Sequence, residues 1–312
     1  MMGTFFAFSL KSALCLAVFY LFYKPLLSSE IFHRLNRATL LAIMALSLCI
    51  PLIAVFFVHV PAGGWTEPLL TEPAEAFLSE QPETPDGFAP SGGSRLHAVL
   101  LLIYLAGCGI FMLHTLWSLC RIVRLIRKSA CRRLDGQIRL AVHADSRIMP
   151  FSWMNCIVVS RKDHDENADI IIRHEQSHIR RRHTADLLFA GICLLFQWYN
   201  PAAWLIYAEL QNVHEYEADR DVLDGGADAK QYQLLLIRKT VGPKLYSMAS
   251  SFNHSNLKKR ITMMLQKNSN SWARLKYACV LPLAAICMAA FARPEIARPF
   301  DGISNVGIDH FV

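Results

Sequence analysis

The chain has 312 residues, 53% of them hydrophobic and 18% charged, with a mean hydropathy of +0.27 and a net charge of +7. Soluble globular domains carry about a quarter charged residues, so this balance excludes an ordinary soluble protein and points to a membrane one. The nine cysteines lie mostly in apolar stretches (Cys15, Cys49, Cys108, Cys193, Cys279, Cys287) with no C-x-x-C pair, so neither a disulfide framework nor a thiolate metal site is indicated.

Four apolar blocks are long enough for a hydrocarbon core of roughly 30 Å, which takes about 20 helical residues. They run from Phe5 to Tyr23, Ala38 to Val58, Leu96 to Leu119 and Tyr277 to Ala292. The first lacks a basic n-region and a small-residue cleavage site, so it is read as a retained helix rather than a signal peptide. Lys11 within it is expected to snorkel toward an interface, the alternative being a polar interior. Lys24, Arg34 and Arg37 flank the first loop, the segment from His59 to Arg95 carries six acids and no base before Arg95, and six bases run from Arg121 to Arg133. The positive-inside rule then puts the first loop and the region after Leu119 in the cytoplasm. The Pro/Gly-rich loop and the tail after Arg293 fall outside. The net positive charge is topogenic and faces anionic lipid, so no direct nucleic-acid binding is expected.

Between Arg121 and Lys276 lies enough mixed sequence for one compact domain. Gln137 to Val142 and Asn155 to Ser160 read as short strands, the second as an edge strand that could align an extended substrate. A helix opening near Ala168 is expected to be capped by the polar cluster Asp163 to Asn167. The apolar block Leu187 to Tyr207 contains Asn200-Pro201, which breaks a helix. It is read as a hairpin that dips into, or lies along, the cytoplasmic face, because a full crossing would separate Glu215 from the histidines below.

His174-Glu175-Gln176-Ser177-His178 fits H-E-x-x-H. Histidines four apart share one helix face, so both imidazoles can reach one Zn²⁺, and Glu175 on an adjacent strip can accept a proton from attacking water. Downstream, Glu215 and Asp219 are also four apart in a helical stretch. Glu215 is the expected third ligand, with Glu217 and Glu209 as rivals, and Asp219 the expected acceptor for the distal N–H of a ligating histidine. His183, His214 and Asp186 are expected to be structural or to support the ligands. The competing reading is a solvated, charged helix face, to which Arg180, Arg181 and Arg182 would contribute.

Four stretches carry a family resemblance: Pro150-Phe151-Ser152-Trp153, Ile171 to His178, Asn200-Pro201-Ala202-Ala203-Trp204 and His214 to Asp219. Over roughly Phe5 to Ala292 the chain resembles the integral-membrane zinc peptidases of the beta-lactam receptor type (BlaR/MecR-like). The resemblance implies that His174, His178 and Glu215 are the zinc ligands. It also implies a mainly α membrane protein: four transmembrane helices and a cytoplasmic-face α+β gluzincin-like zinc domain with a membrane-associated helical hairpin. The penicillin-binding sensor of the antibiotic receptors is not expected, since about twenty residues follow Ala292, and the S-x-x-K spacing at Ser255 to Lys258 is read as coincidence.

The expected organisation is residues 1–120 as three transmembrane helices with an extracytoplasmic loop 59–95, and residues 121–275 as a cytoplasmic zinc metallopeptidase domain with the hairpin at 187–207. Residues 276–292 form the fourth transmembrane helix and residues 293–312 a short extracytoplasmic tail. The expected activity is a regulatory zinc endopeptidase of the bacterial inner membrane, with one Zn²⁺ per chain and its site on the cytoplasmic side. Expected partners are the bilayer and a protein or peptide substrate, for which a helix-turn-helix repressor or the chain itself is the example the family suggests, with a homodimer as one option. A housekeeping protease of the Ste24/HtpX type and a non-catalytic zinc-containing envelope transducer are the alternatives. Cysteine labelling is expected to find Gln81 and Asp301 outside and Ser269 inside. A cytoplasmic Asp301 would mean a fifth crossing and no hairpin.

Overall fold

The computed structural model describes residues 2–58, 92–146, 148–241, 250–266 and 271–292. Most of the expected loop 59–95, the tail 293–312 and positions 81, 269 and 301 lie outside the described residues. The chain is mostly helical, with one small mixed sheet. Helices α1 (Met2–Leu26), α2 (His33–Val58) and α3 (Gly92–Lys128) coincide with the first three apolar blocks. The last block is interrupted at Cys279, giving α9 (Leu275–Ala278) and α10 (Val280–Ala292) after a 3-10 turn at Ser271–Arg274. Among the described residues, four segments are long and apolar enough to cross a membrane: Thr4–Leu26, His33–Ile53, Leu96–Lys128 and Trp272–Phe291. Lys11 does not snorkel: it is 8% exposed, turned into the bundle.

Four strands follow α3: β1 (Ala130–Asp135), β2 (Ile138–His143), β3 (Phe151–Trp153) and β4 (Cys156–Ser160). Their spatial order is β1-β2-β4-β3, with β2 and β4 parallel and the other two pairs antiparallel. The segment expected to be an edge strand, Asn155 to Ser160, is therefore an interior one. Its burial explains why: Ile157 and Val159 pack with Ile171 of the following helix, whereas Cys156 and Val158 pack against Leu125 and Ile126 at the end of α3. A strand covered on both faces reads as a continuous apolar run, which suits the middle of a sheet. The edge beside the candidate site is β3.

Helix α4 (Arg161–Arg180) leaves β4 directly, with Ser160 as N-cap accepting from the Asp163 backbone N–H at 3.2 Å. It begins seven residues before Ala168, and Asp163 to Asn167 fill its first turns instead of capping it. An acidic first turn suits the positive end of the helix dipole. Then α5 (His183–Phe196) and α6 (Pro201–Asp224) form a hairpin, where Asn200 caps α6 through Ala202 N–H at 3.0 Å and Pro201 takes the first helical position. Helices α7 (Ala229–Val241) and α8 (Ser250–Leu265) complete the described elements; the Ser255 to Lys258 stretch is helical within α8.

The hairpin shares the main core. Ala190, Cys193 and Leu194 of α5 and Ala203, Ile206 and Leu210 of α6 bury with Phe19 and Tyr23 of α1, Leu40 and Met44 of α2, and Ala284 and Phe291 of α10. The turn is pinned by Gln197 Nε2 donating to Ser12 Oγ at 2.7 Å and Asn200 Nδ2 donating to the Ala13 carbonyl at 3.2 Å. On its other side α3 meets the turn at a glycine: a Cβ on Gly107 would lie 2.2 Å from the Trp198 ring, whereas one on Gly109 would touch nothing within 4 Å. Gly107→Leu should therefore force Trp198 or α3 outward and destabilise by about 1–3 kcal/mol. Gly109→Leu should leave the thermal unfolding midpoint in detergent unchanged, and equal midpoints for the two variants would refute this packing.

Candidate metal centre

Helix α4 aims His174 and His178 from successive turns toward α6. Their Nε2 atoms lie 3.2 Å apart, and Glu215 Oε2 and Oε1 stand 3.5 and 3.6 Å from them respectively. One donor atom from each of the three residues falls within a 4.8 Å set, the one such group of three among the described residues. The rivals point elsewhere. Glu209 pairs with Lys24 of α1, and Glu217 sits under His183.

Each histidine is oriented through its other nitrogen. Tyr232 of α7 stands 2.9 Å from His174 Nδ1 and donates its hydroxyl proton to Asp219 at 2.6 Å. Asp219 itself lies 3.5 Å from that nitrogen, so the tyrosine hydroxyl closes a triangle with the expected pair and touches both of its members. Arg260 of α8 donates from Nε to Asp219 at 2.9 Å and reaches Glu215 at 2.9 Å. On the other side His178 Nδ1 meets His183 Nδ1 at 2.7 Å, and His183 Nε2 meets Glu217 at 3.0 Å. Glu217 lies 3.4 Å from both Arg37 of α2 and Arg181. The two chains have one logic: histidine, a bridging group, a buried carboxylate, then arginine. Such partners fix which ring nitrogen is free to bind a metal.

His214 stacks on His183 with centroids 4.0 Å apart and bonds Asp186 at 3.0 Å. Asp186 is also bound by Arg37 at 2.5 Å, so these two predicted residues hold the site from behind. Arg181 makes a two-pronged contact with Asp221 at 2.7 and 2.6 Å, and Ser177 bonds the same carboxylate at 2.5 Å, tying α4 to α6.

The three donors are electrostatically coupled to one another and to Arg260. Burial pulls His174 down, but its hydrogen bond to Glu215 and the carboxylates of Glu215, Asp219 and Glu175 leave its pKa raised. Burial would raise Glu215, yet the His174 hydrogen bond and the Arg260 charge hold it well below the usual carboxylate range. Burial and the neighbouring His174 push His178 down, keeping it neutral as a ligand must be. Two imidazole nitrogens and a carboxylate form the donor set of a catalytic zinc site, so the residues present fit that ion. Glu175 is 7% exposed, and burial lifts its carboxyl above the ordinary range although the Ser152 hydroxyl of β3 bonds it.

Tyr232, Arg260, Ser152, Arg37 and Arg181 are absent from the sequence expectations as site residues. Arg181 lay three residues past His178 and Ser152 inside a quoted motif; Tyr232 and Arg260 sit on separate helices with no spacing rule to reveal them.

The family model described as BlaR1 peptidase M56 matches residues 43–264, from α2 through α8. The regulatory protein BlaR1 of Staphylococcus aureus is 26% identical over 160 residues, 49% of this chain. The chain spans about a quarter of that relative's length, 25%. With the family match covering most of its length, this membrane chain belongs to the BlaR1 peptidase M56 family.

Proposed function

We propose that this chain is a membrane-embedded zinc endopeptidase of regulatory type, with His174, His178 and Glu215 holding one zinc ion and Glu175 as the catalytic acid–base. The observation that carries this reading is the convergence of those three donors from α4 and α6 with Glu175 beside them. A zinc ion there would supply Lewis acidity toward a peptide carbonyl and lower the pKa of water toward about 7. Glu175 takes a proton from the attacking water and returns it to the leaving amine, a role that its raised pKa suits. Tyr232 with Asp219, and His183 with Glu217, hold the two imidazoles in the tautomer that leaves Nε2 free. Strand β3 pairs on one side with β4, and the strand order leaves its other side as the sheet edge next to Glu175. An extended substrate added there by backbone pairing would bring its scissile bond to the site.

The basic flanks of the spans support a site on the cytoplasmic side, with residues 121–275 as the peptidase domain. The turn of the α5–α6 hairpin bonds Ser12, about 20 Å up α1 from its Leu26 end. That depth supports a hairpin reaching toward the middle of the bilayer rather than lying along its face. Phe189, Ile192 and Phe196 are 40–57% exposed on it, as lipid contact requires. The substrate is proposed to be a cytoplasmic protein of the repressor kind, or the chain itself.

Purified protein should hold about one zinc per chain. His174→Ala and Glu215→Ala should lose it, while Glu217→Ala should still bind at saturating zinc. Glu175→Gln should keep zinc and fold but lose cleavage by roughly 10² to 10⁴, with full-length protein accumulating in cells. Undiminished cleavage by folded, zinc-loaded Glu175→Gln would sink the peptidase mechanism and favour a non-catalytic zinc scaffold.

A further inference from the structure

We propose that the cavity between the α1–α2 turn, the outer face of α6 and the lead into α9 binds the phosphate of an anionic lipid headgroup. The cavity is about 540 Å³ and open on one side. Arg34, Arg181, Arg220 and Arg274 line it, against two carboxylates that are already engaged: Asp224 pairs with Arg220, and Glu217 is held by His183, Arg37 and Arg181. Arg34 and Arg274 make no ion pair among the described residues; Arg274 lies over the Phe32 ring at 4.9 Å. By contrast, the neighbouring cations Lys24, Arg37 and Lys276 each bind a carboxylate. Of the cations at this end of the bundle, Arg34 and Arg274 are thus two with no salt bridge among the described residues, although Arg34 also lends its charge to Asp221.

Its position selects the ligand. The segments Thr4–Leu26, His33–Ile53 and Trp272–Phe291, each long and apolar enough to span, all end here. Lys276 reaching Glu30 and Tyr277 reaching Asn36 bring those ends to one level. Ile31, Phe32 and Leu35 give the cavity an apolar wall, and Trp272 and Leu275 nearby are 78% and 64% exposed, as residues at a membrane boundary are. A phosphate drawn between guanidinium groups, with glycerol and acyl chain along the apolar wall, satisfies both halves of this surface. The inner wall is Arg181 and Glu217, so the headgroup would sit against the ion pairs behind His183.

The test is native mass spectrometry of the full chain in neutral detergent, titrated separately with phosphatidylglycerol, phosphatidylcholine and inorganic phosphate. It needs no zinc and no cleavage, so it stands or fails apart from the peptidase reading. Saturable binding of phosphatidylglycerol at least about tenfold tighter than phosphatidylcholine is expected, weakened roughly fivefold by each of Arg34→Gln and Arg274→Gln. The double change Arg132→Gln with Arg133→Gln, which removes twice the charge of either single change but from the exposed β1, should alter it less than about twofold. Inorganic phosphate binding as tightly as the lipid, with the same dependence on Arg34 and Arg274, would support the phosphate site and assign it to the free anion. No preference among the lipids, or equal loss in the β1 variant, would overturn it.

Discussion

The acidic stretch of α6 governs how everything around the candidate centre is arranged. Glu215, Glu217, Asp219 and Asp221 fall within seven residues, and a carboxylate removed from water needs a cation or several donors. Helical periodicity splits them into two stripes. Glu215 and Asp219 face His174, Tyr232 and Arg260, whereas Glu217 and Asp221 face His183, Arg181 and Arg37. Each stripe draws in arginines from elsewhere in the chain: α8 on one side, the end of α4 and the start of α2 on the other. Removing one partner of such a pair costs far more than the pair contributes, because the remaining charge stays buried and uncompensated. The two histidine-bearing turns of α4 are held from both sides for that reason.

The same network joins the candidate site to the membrane-spanning part. Arg37 lies one turn into α2 and contacts Asp186, Glu217 and the Arg181 carbonyl. Helix α6 begins inside the apolar bundle and ends at the site, so its first half packs with α1 and α2 while its second half carries the acids. A shift of α2 relative to α6 would be felt at His183 and then His178, with only side chains in between.

Much of this was legible in the chain because it rests on local periodicity. The four apolar blocks, the H-E-x-x-H helix and the break at Asn200-Pro201 each follow from rules acting over a few residues; the described helices cover them, although α3 runs nine residues past Leu119 and α4 begins seven before Ala168. Misreadings arose where a distant partner decides. Asn155 to Ser160 reads as an edge strand in the sequence, whereas α3 and α4 cover the two faces of β4 and strands flank it on both sides. Tyr232, thirteen residues past Asp219 and beyond a turn, bonds both Asp219 and His174, and no spacing rule reveals it. Arg260 binds both acids from a helix whose sequence has no spacing relation to them. β1 was hidden because its Arg132 and Arg133 read as a juxtamembrane charge run.

The claim on which the rest depends is that α4 and α6 together form one metal centre with nitrogen and oxygen donors only. X-ray absorption at the zinc edge of the full chain in detergent measures that donor shell directly. Two imidazoles at about 2.0–2.1 Å with carboxylate or water oxygen at about 2.0–2.2 Å are expected, with one imidazole lost in His178→Ala. A sulfur shell near 2.3 Å, or a spectrum unchanged in that variant, would mean that zinc binds elsewhere on the chain and that the α4–α6 junction is not its site.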